Sequence, residues 1–257
     1  MCKTRVLLVN VSSLLLVLAA TVLAQEGPIG RNFVSEPKNG EAAQWEAAYK
    51  EHIAWHRSNN DSWDWDTYQI ESGPRLGQYF VRTGRHEWKD FDAHSELDAK
   101  DGANFEATAG KHTKSTTSWF DRTHRNLSRI DEGGGPYKIL EYTRVVVKPS
   151  EAPQFLNAVS KFHAAFEKTD SPARFVTAQT ESGGRTSNFV FVWLHKDWAS
   201  LEQDPMAIPK MMEEVYGRQE ADAIFDEFWN SVEDMESFIL RHRPELSYDA
   251  DAPTSNE

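Results

Sequence analysis

His52 and His56 stand four residues apart in "EAAQWEAAYKEHIAWHR" (41–57), a segment with helical character. Residues four apart share one face of a helix. Imidazole titrates near neutral pH and ligates metals well, so two on one face can move a proton or hold a divalent cation. Arg82 lies in "GQYFVRT" (77–83), an otherwise apolar strand pattern, where its guanidinium could bind an anionic group. The expectation is that His52 acts as acid, base or metal ligand, with His56 beside it and Arg82 holding an anionic substrate. The competing reading makes the histidines ordinary half-exposed filler at the edge of a core, and rings turned to bulk solvent would remove the site.

These three residues stand out because the chain repeats itself. "ESGPRLGQYFVRTGRHEW" begins at Glu71 and "ESGGRTSNFVFVWLHKDW" begins at Glu181, 110 residues later. Laid on 151–201 without a gap, residues 41–91 bring Ala42, Gln44, Ala48, Thr67, Gln69, Ser72, Gly73, Arg75 and Trp88 onto their own kind, and Trp119 meets Trp229. Self-similarity at a fixed spacing points to a duplicated unit. In this register His52 falls opposite Phe162, His56 opposite Phe166 and Arg82 opposite Val192. Phe155, Ala158, Val159, Phe162 and Phe166 form an apolar stripe, so His52 and His56 should lie on the inner stripe of the first copy. Buried imidazoles cost stability unless something hydrogen-bonds them, so the first copy must offer a polar partner, water or a ligand there. A one-residue shift would instead pair Lys50, His52 and Ala54 with Lys161, His163 and Ala165, but it needs an insertion within the helix.

The elements that position these residues read most clearly in the second copy. "YKILEYTRVVVKP" is a β-branched strand stopped by Pro149, and the helix that follows takes Ser150 as its N-cap. "ARFVTAQTES" and "NFVFVWL" are strands joined across Gly183-Gly184. "EADAIFDEFWNSVEDMESFILRH" reads as one long helix, and "ELSY" as a closing strand. The first copy follows with a weak strand at "RNFVS", a helix at 41–57, strands near "WDWDTYQIES" and "GQYFVRT", and a helix around "STTSWFDRTHRNLSRI". The predicted class is α+β, with two tandem ferredoxin-like units forming an intramolecular α+β barrel. The units span 31–135 and 136–248, with a boundary in "DEGGGP" and a disordered acidic tail at 249–257.

"MCKTRVLLVNVSSLLLVLAATVLA" places Lys3 and Arg5 before an apolar run, the pattern of a signal peptide over 1–24. Asn10, Ser12 and Ser13 leave too short a run to span a bilayer. A periplasmic or extracellular protein is expected, with no membrane association after cleavage. Loss of the leader removes two cations and no acids, taking the formal charge from −12 to −14. So acidic a chain disfavours nucleic acid and anionic lipid as partners and leaves a small-molecule ligand. The one cysteine, Cys2, lies in the leader, so nine Trp, seven Tyr and fourteen Phe must build a core without disulfides. Trp63 and Trp65 of "WDWD" read as core packing, Trp88 and Trp198 as turn packing, and Glu71 and Glu181 as turn acids paired with Arg75 and Arg185.

"EYTRVVVKPSEAPQFLNAVSKFHAAF" and "NFVFVWLHKDWASLEQDP" resemble the dimeric α+β barrel superfamily, whose members include antibiotic-biosynthesis-monooxygenase-like and NIPSNAP-like domains. The resemblance covers 139–205 and reaches the first half only through the repeat. It implies a fold and not an activity, since such domains include cofactor-free oxygenases, haem enzymes, isomerases and proteins without assigned chemistry. Haem-binding members hold the group through a helical histidine, and "MAIPKMMEEVYG" has none, which leaves His112, His163 and His195 as the remaining histidines to place.

Two function classes follow. The first is a non-catalytic exported small-molecule-binding protein, favoured because no nucleophile–base pair, phosphate loop or strong metal spacing is present. The second is a cofactor-independent monooxygenase-like or isomerase-like enzyme with its pocket in the first unit, of which a haem-binding form is a variant. Oligomeric state and cofactor are left undefined by the sequence.

Overall fold

The computed structural model describes residues 27–131, 137–202, 204 and 206–251 of the 257. The leader at 1–24, most of the "DEGGGP" boundary and the tail beyond 251 lie outside the described residues. The chain runs β1 (Ile29–Pro37), α1 (Ala42–Ser58), β2 (Asp66–Ile70), β3 (Tyr79–His86), α2 (Trp88–Ala107), β4 (Thr113–Thr123), β5 (Ile139–Val147), α3 (Ala152–Lys168), β6 (Phe175–Ser182), β7 (Asn188–His195), α4 (Ala207–Tyr216), α5 (Arg218–Ser231) and β8 (Val232–His242). The eight strands close an antiparallel barrel in the order β1-β3-β2-β8-β5-β7-β6-β4.

Alternation along each strand sends one set of side chains inward and the other under the helices. Val34, Ile70, Phe80, Leu140, Tyr142, Ala178, Val190, Phe238 and Leu240 come from seven different strands and pack together, which places them inside the barrel. On the outside, Trp45, Tyr49 and Ile53 of α1 pack against Tyr79 and Val81 of β3 and Trp63 and Trp65. On the other flank, Phe155 and Val159 of α3 pack on Val145 and Val147 of β5 and Phe189 of β7, with α4 and α5 behind them. The helices of the two halves therefore cover opposite sides of one barrel. As expected, Trp63 and Trp65 are core residues.

Ile29–Pro37 and Ala42–Ser58 recur as Ile139–Val147 and Ala152–Lys168, each shifted by 110 residues. Beyond the hairpins the spacing changes, since Thr113–Thr123 and Val232–His242 are shifted by 119. Trp119 and Trp229 are therefore not equivalent: one lies in β4 and the other in α5.

Several expected elements differ. The helix expected around 115–130 is the strand β4 followed by a short turn of 3₁₀ helix at Arg125–Leu127. The helix of the first half is instead α2. The long helix expected over 220–242 stops at Ser231, because the next eleven residues pair with β5 along its length and complete the barrel. "ELSY" forms a 3₁₀ turn at Pro244–Leu246 and then a single bridge from Tyr248 to Trp65. The first residues of the expected tail are folded, with Ala250 N–H donating to Asp64 Oδ1 at 3.0 Å. Ser150 lies in a 3₁₀ turn, and Glu151 occupies the cap position of α3 without a side-chain bond.

Trp88 and Trp198, expected to pack turns, are 44% and 50% exposed. Glu71 pairs with Arg241 at 2.5 Å and Glu181 with Arg122 at 2.9 Å, so each carboxylate binds an arginine of a neighbouring strand and not the one four residues on.

Candidate metal centre

α1 carries His52 and His56 on its inner stripe, 4% and 2% exposed. They face α2, not bulk solvent. The stripe of α2 that meets them steps through Phe91, His94, Asp98, Asp101 and Phe105, spaced three and four apart. Its three middle members are polar, and Asp61, in the loop after α1, completes the layer.

The hydrogen bonds assign most of the protons. His94 Nδ1 lies 2.7 Å from Asp98 Oδ1 and its Nε2 lies 2.8 Å from Asp61 Oδ1. Two carboxylates can only accept, so both nitrogens donate and His94 is an imidazolium. Burial opposes that charge, but Asp61 and Asp98 outweigh it and push His94 up to about 9. Asp61 also accepts from His56 Nδ1 at 2.7 Å, Trp65 Nε1 at 2.9 Å and the Trp63 backbone N–H at 3.0 Å. Burial raises its pKa, yet these donors prevail and hold the carboxyl far below the usual range.

His52 Nδ1 donates to Asn104 Oδ1 at 2.8 Å. With both Nδ1 atoms used as donors, neutral His52 and His56 present bare Nε2 lone pairs to each other at 3.3 Å. Asp101 Oδ1 joins them, 3.1 Å from His52 Nε2 and 3.3 Å from His56 Nε2. Burial works against its charge, and Asp101 is held down to about 2 where the imidazoles donate to it or carry positive charge. Three electron-pair donors thus converge on one point with no donor hydrogen assigned to it. Either one additional proton or a cation must occupy that point. The proton solution makes His56 an imidazolium. Burial disfavours this, but Asp101 and Asp61 raise its basicity overall.

The dimensions also fit a metal ion. Nitrogen and oxygen ligands sit about 2.0–2.2 Å from a first-row divalent ion, which places adjacent ligands about 2.8–3.1 Å apart in an octahedron and about 3.3–3.6 Å apart in a tetrahedron. The 3.1 Å edge here matches the upper octahedral value and the two 3.3 Å edges match the lower tetrahedral one. His52, His56 and Asp101 are the group among the described residues whose ligand atoms lie close enough to share an ion. Two imidazoles and one carboxylate on one face form the donor set of open-sided iron(II) and zinc centres. Both imidazoles are oriented from behind, by Asp61 and Asn104, as ligating histidines are.

Arg82 is not part of this layer. It alternates with Val81, which faces α1, and so points into the barrel, where its guanidinium lies 3.9 Å from Asp121 Oδ1. Asn32 Nδ2 donates to the other oxygen of Asp121 at 2.9 Å. Gly30 and Gly84 make room for the guanidinium, since a Cβ at either would come within 2.8 Å of it. The structure therefore brings His52 and His56 together as expected and separates Arg82 from them by the thickness of the sheet. Sequence reasoning missed Asp61, His94, Asp98, Asp101 and Asn104.

The other histidines are dispersed. His112 Nδ1 bonds Glu41 at 2.8 Å, His163 Nε2 lies 3.3 Å from the Ser128 carbonyl, and His195 Nδ1 donates to the Ser200 carbonyl at 3.0 Å. No helix among the described residues is long and apolar enough to cross a membrane.

No protein-family model and no curated protein sequence matches the chain. Its fold does match solved structures. A candidate monooxygenase from Lactobacillus acidophilus NCFM superposes with a TM-score of 0.55 at 10% identity, covering 89% of this chain and 99% of that one. An anthrone oxidase-like protein gives 0.54 at 12% identity, over 91% and 98%. A chlorite dismutase from Candidatus Nitrospira defluvii gives 0.56 at 8% identity, over 86% and 93%. At such identities the likeness concerns the fold alone. These neighbours belong to the dimeric α+β barrel superfamily, and the present chain shares their mixed α+β barrel architecture.

Proposed function

We propose that this protein is an exported small-molecule enzyme of the oxygenase type, with a mononuclear divalent metal held by His52, His56 and Asp101. The observation that carries this reading is the convergence of two imidazole Nε2 atoms and a carboxylate oxygen at 3.1–3.3 Å, with both imidazoles oriented from behind. Iron(II) held by these residues would supply a redox-active centre able to engage dioxygen. The chain's own part is to fix both tautomers through Asp61 and Asn104 and to keep the site enclosed beneath α1 and α2. The oxygenase and oxidase names of the structural neighbours support the reaction type, and the anthrone oxidase-like neighbour suggests a reduced aromatic substrate.

Two finer proposals accompany this one. The chain is a duplication of one strand-helix-strand-strand-helix-strand unit, supported by the common element order and by the 110-residue shift of the first strand and helix. It is exported, supported by the leader, and mass spectrometry of the exported protein should find its first residue near Gln25.

The test is metal content and oxygen uptake. The purified full chain, loaded anaerobically with iron(II), should hold close to one equivalent. Asp101→Asn and His52→Gln should each lose that stoichiometry while keeping the native circular dichroism. Oxygen consumption with anthrone-like phenols should follow the bound iron. Wild-type protein that binds no divalent ion under these conditions would overturn the proposal. The low exposure of both histidines favours a second reading, in which the ion is structural and the protein binds without catalysing. Stoichiometric metal without oxygen uptake would select it.

A further inference from the structure

We propose a second binding site, for a small uncharged aromatic molecule, beneath α3, α4 and α5 of the second half. It does not rest on the metal centre, which lies on the opposite flank of the barrel. A half-open cavity of about 220 Å³ lies there between the helices and the outer faces of β5, β6, β7 and β8. Protein interiors are close-packed, and voids larger than a water molecule are few. An apolar void of about 150 Å³ stays dry and takes up benzene. This one is larger, and its lining is almost wholly apolar.

The walls define the ligand. Phe162 and Phe166 of α3, Phe175 of β6, Trp193 of β7, and Phe225 and Phe228 of α5 face the space. No acidic residue, lysine or arginine contributes, and the one titratable neighbour, His163, directs its Nε2 at the Ser128 carbonyl. A charged or strongly hydrated guest would lose its water without recovering hydrogen bonds, so a neutral guest is selected. The wall rings meet at tilted and edge-on angles, with centroids 5.0 Å apart for Phe175 and Trp193 and 5.2 Å for Phe162 and Phe225. A guest ring can join such a set with the same offset geometry. The volume accommodates one single or fused ring system.

The rim supplies an entrance. Trp229 and Met235 line the cavity, yet they are 53% and 47% exposed and stand among the few large apolar side chains open to solvent. A thioether and an indole at a mouth can shift to admit a guest and cover it afterwards. The first half serves as an internal contrast. The positions 110 residues before Phe162 and Phe166 are His52 and His56, and the space between α1 and α2 there is filled by a hydrogen-bonded polar layer. The apolar void belongs to the second half.

The full chain should bind indole in one saturable site by isothermal titration. Toluene should compete with it and quench Trp193 and Trp229. Octanoate should bind at least tenfold more weakly than octanol, because no cation lines the cavity. Thr143→Phe, which fills the void from β5, should weaken indole at least tenfold with unchanged circular dichroism and unchanged metal stoichiometry. Met235→Trp, which narrows the mouth, provides a second test should the first variant fold poorly. Absence of saturation by indole, or undiminished indole binding in both variants, overturns the proposal. So does a dimer whose interface covers Trp229 and Met235 and which Thr143→Phe dissociates.

Discussion

Replacing Asp61 by asparagine should be among the most damaging single changes in this protein, and its pH signature should distinguish the network from ordinary packing. The carboxylate accepts four hydrogen bonds, from His56, His94, Trp65 and the Trp63 backbone, at 2.7–3.0 Å. An amide keeps one acceptor oxygen and turns an NH₂ group towards donors, leaving His94 a buried cation with Asp98 alone. Breaking one partner of a buried charge network costs about 3–5 kcal/mol. An independent route gives a similar figure. The His94 imidazole rises from 6.5 to about 9, and at about 1.4 kcal/mol per pH unit that shift is worth about 3 kcal/mol. A raised basic group contributes fully below its unfolded value and loses that contribution as the pH climbs through the folded one. Wild-type stability should therefore decline between pH 6.5 and about 9, and the Asp61→Asn variant should show a flatter alkaline limb. Asp61 itself is depressed, so its own contribution is present above the unfolded value and disappears only in acid. Urea unfolding followed by tryptophan fluorescence reads both effects, since Trp63 and Trp65 sit in the layer. A loss below about 1 kcal/mol at pH 7, with an unchanged alkaline limb, would show that the ionic network carries little of the stability assigned to it here.

Other consequences can be checked by the same unfolding assay. Glu46 grips Arg243 through both carboxylate oxygens at 2.8 and 2.9 Å, and that pairing lowers its pKa. Glu46→Gln should cost about 1–3 kcal/mol at pH 7, and the deficit should shrink below pH 4.5, where wild type loses the pairing too. Trp45 is fully buried, stacked on Tyr49 and Tyr79, so Trp45→Ala should cost about 3–5 kcal/mol, whereas Trp198→Ala at a half-exposed site should stay within about 0.5 kcal/mol. Gly183 has a φ of 86°, and a Cβ there would stand 2.8 Å from Trp119 Cα on β4, so Gly183→Ala should cost about 1–3 kcal/mol and loosen the β4–β6 seam.

The parts of the fold that were legible are those whose apolar pattern matches one period. β5, α3, β6 and β7 alternate or step as buried elements do, and the repeat carried that reading onto α1, β2 and β3. β4 and β8 were misread because their apolar residues also fit a helical spacing, and only pairing with β1 and β5 decides between the two. α2 escaped notice for a different reason. Its inner stripe holds His94, Asp98 and Asp101 where an ordinary helix would hold leucines, so no amphipathic signal marks it. The missing hydrophobic stripe and the missed candidate ligand are therefore one fact. A stripe spaced three and four apart whose members are imidazoles and carboxylates, facing a helix with His52 and His56 on its own stripe, is the signal that could have revealed both. Arg82 was correctly read as a cation on an apolar strand, but strand alternation fixes the face of its side chain, and its neighbour Val81 takes the face beneath α1.

Comparison of the two flanks bears on why the polar layer exists. α1 and α3 have the same length and follow equivalent strands, and both stack on the outside of the same barrel. On α3 the steps corresponding to His52 and His56 carry phenyl rings, and the helix packs without a buried charge at either. The architecture therefore does not require imidazoles at that place. In the first half those steps bring with them Asp61, Asp98, Asp101, Asn104 and the cation of His94, a set in which nearly every buried polar atom is paired. Such networks are commonly no more stabilising than the apolar side chains that could replace them. Asp101 Oδ1, turned towards the two Nε2 atoms without an assigned hydrogen-bond donor, is where the pairing stops. A layer that the fold can dispense with is satisfied everywhere except where these three atoms meet, and that is the point the proposed cation would fill.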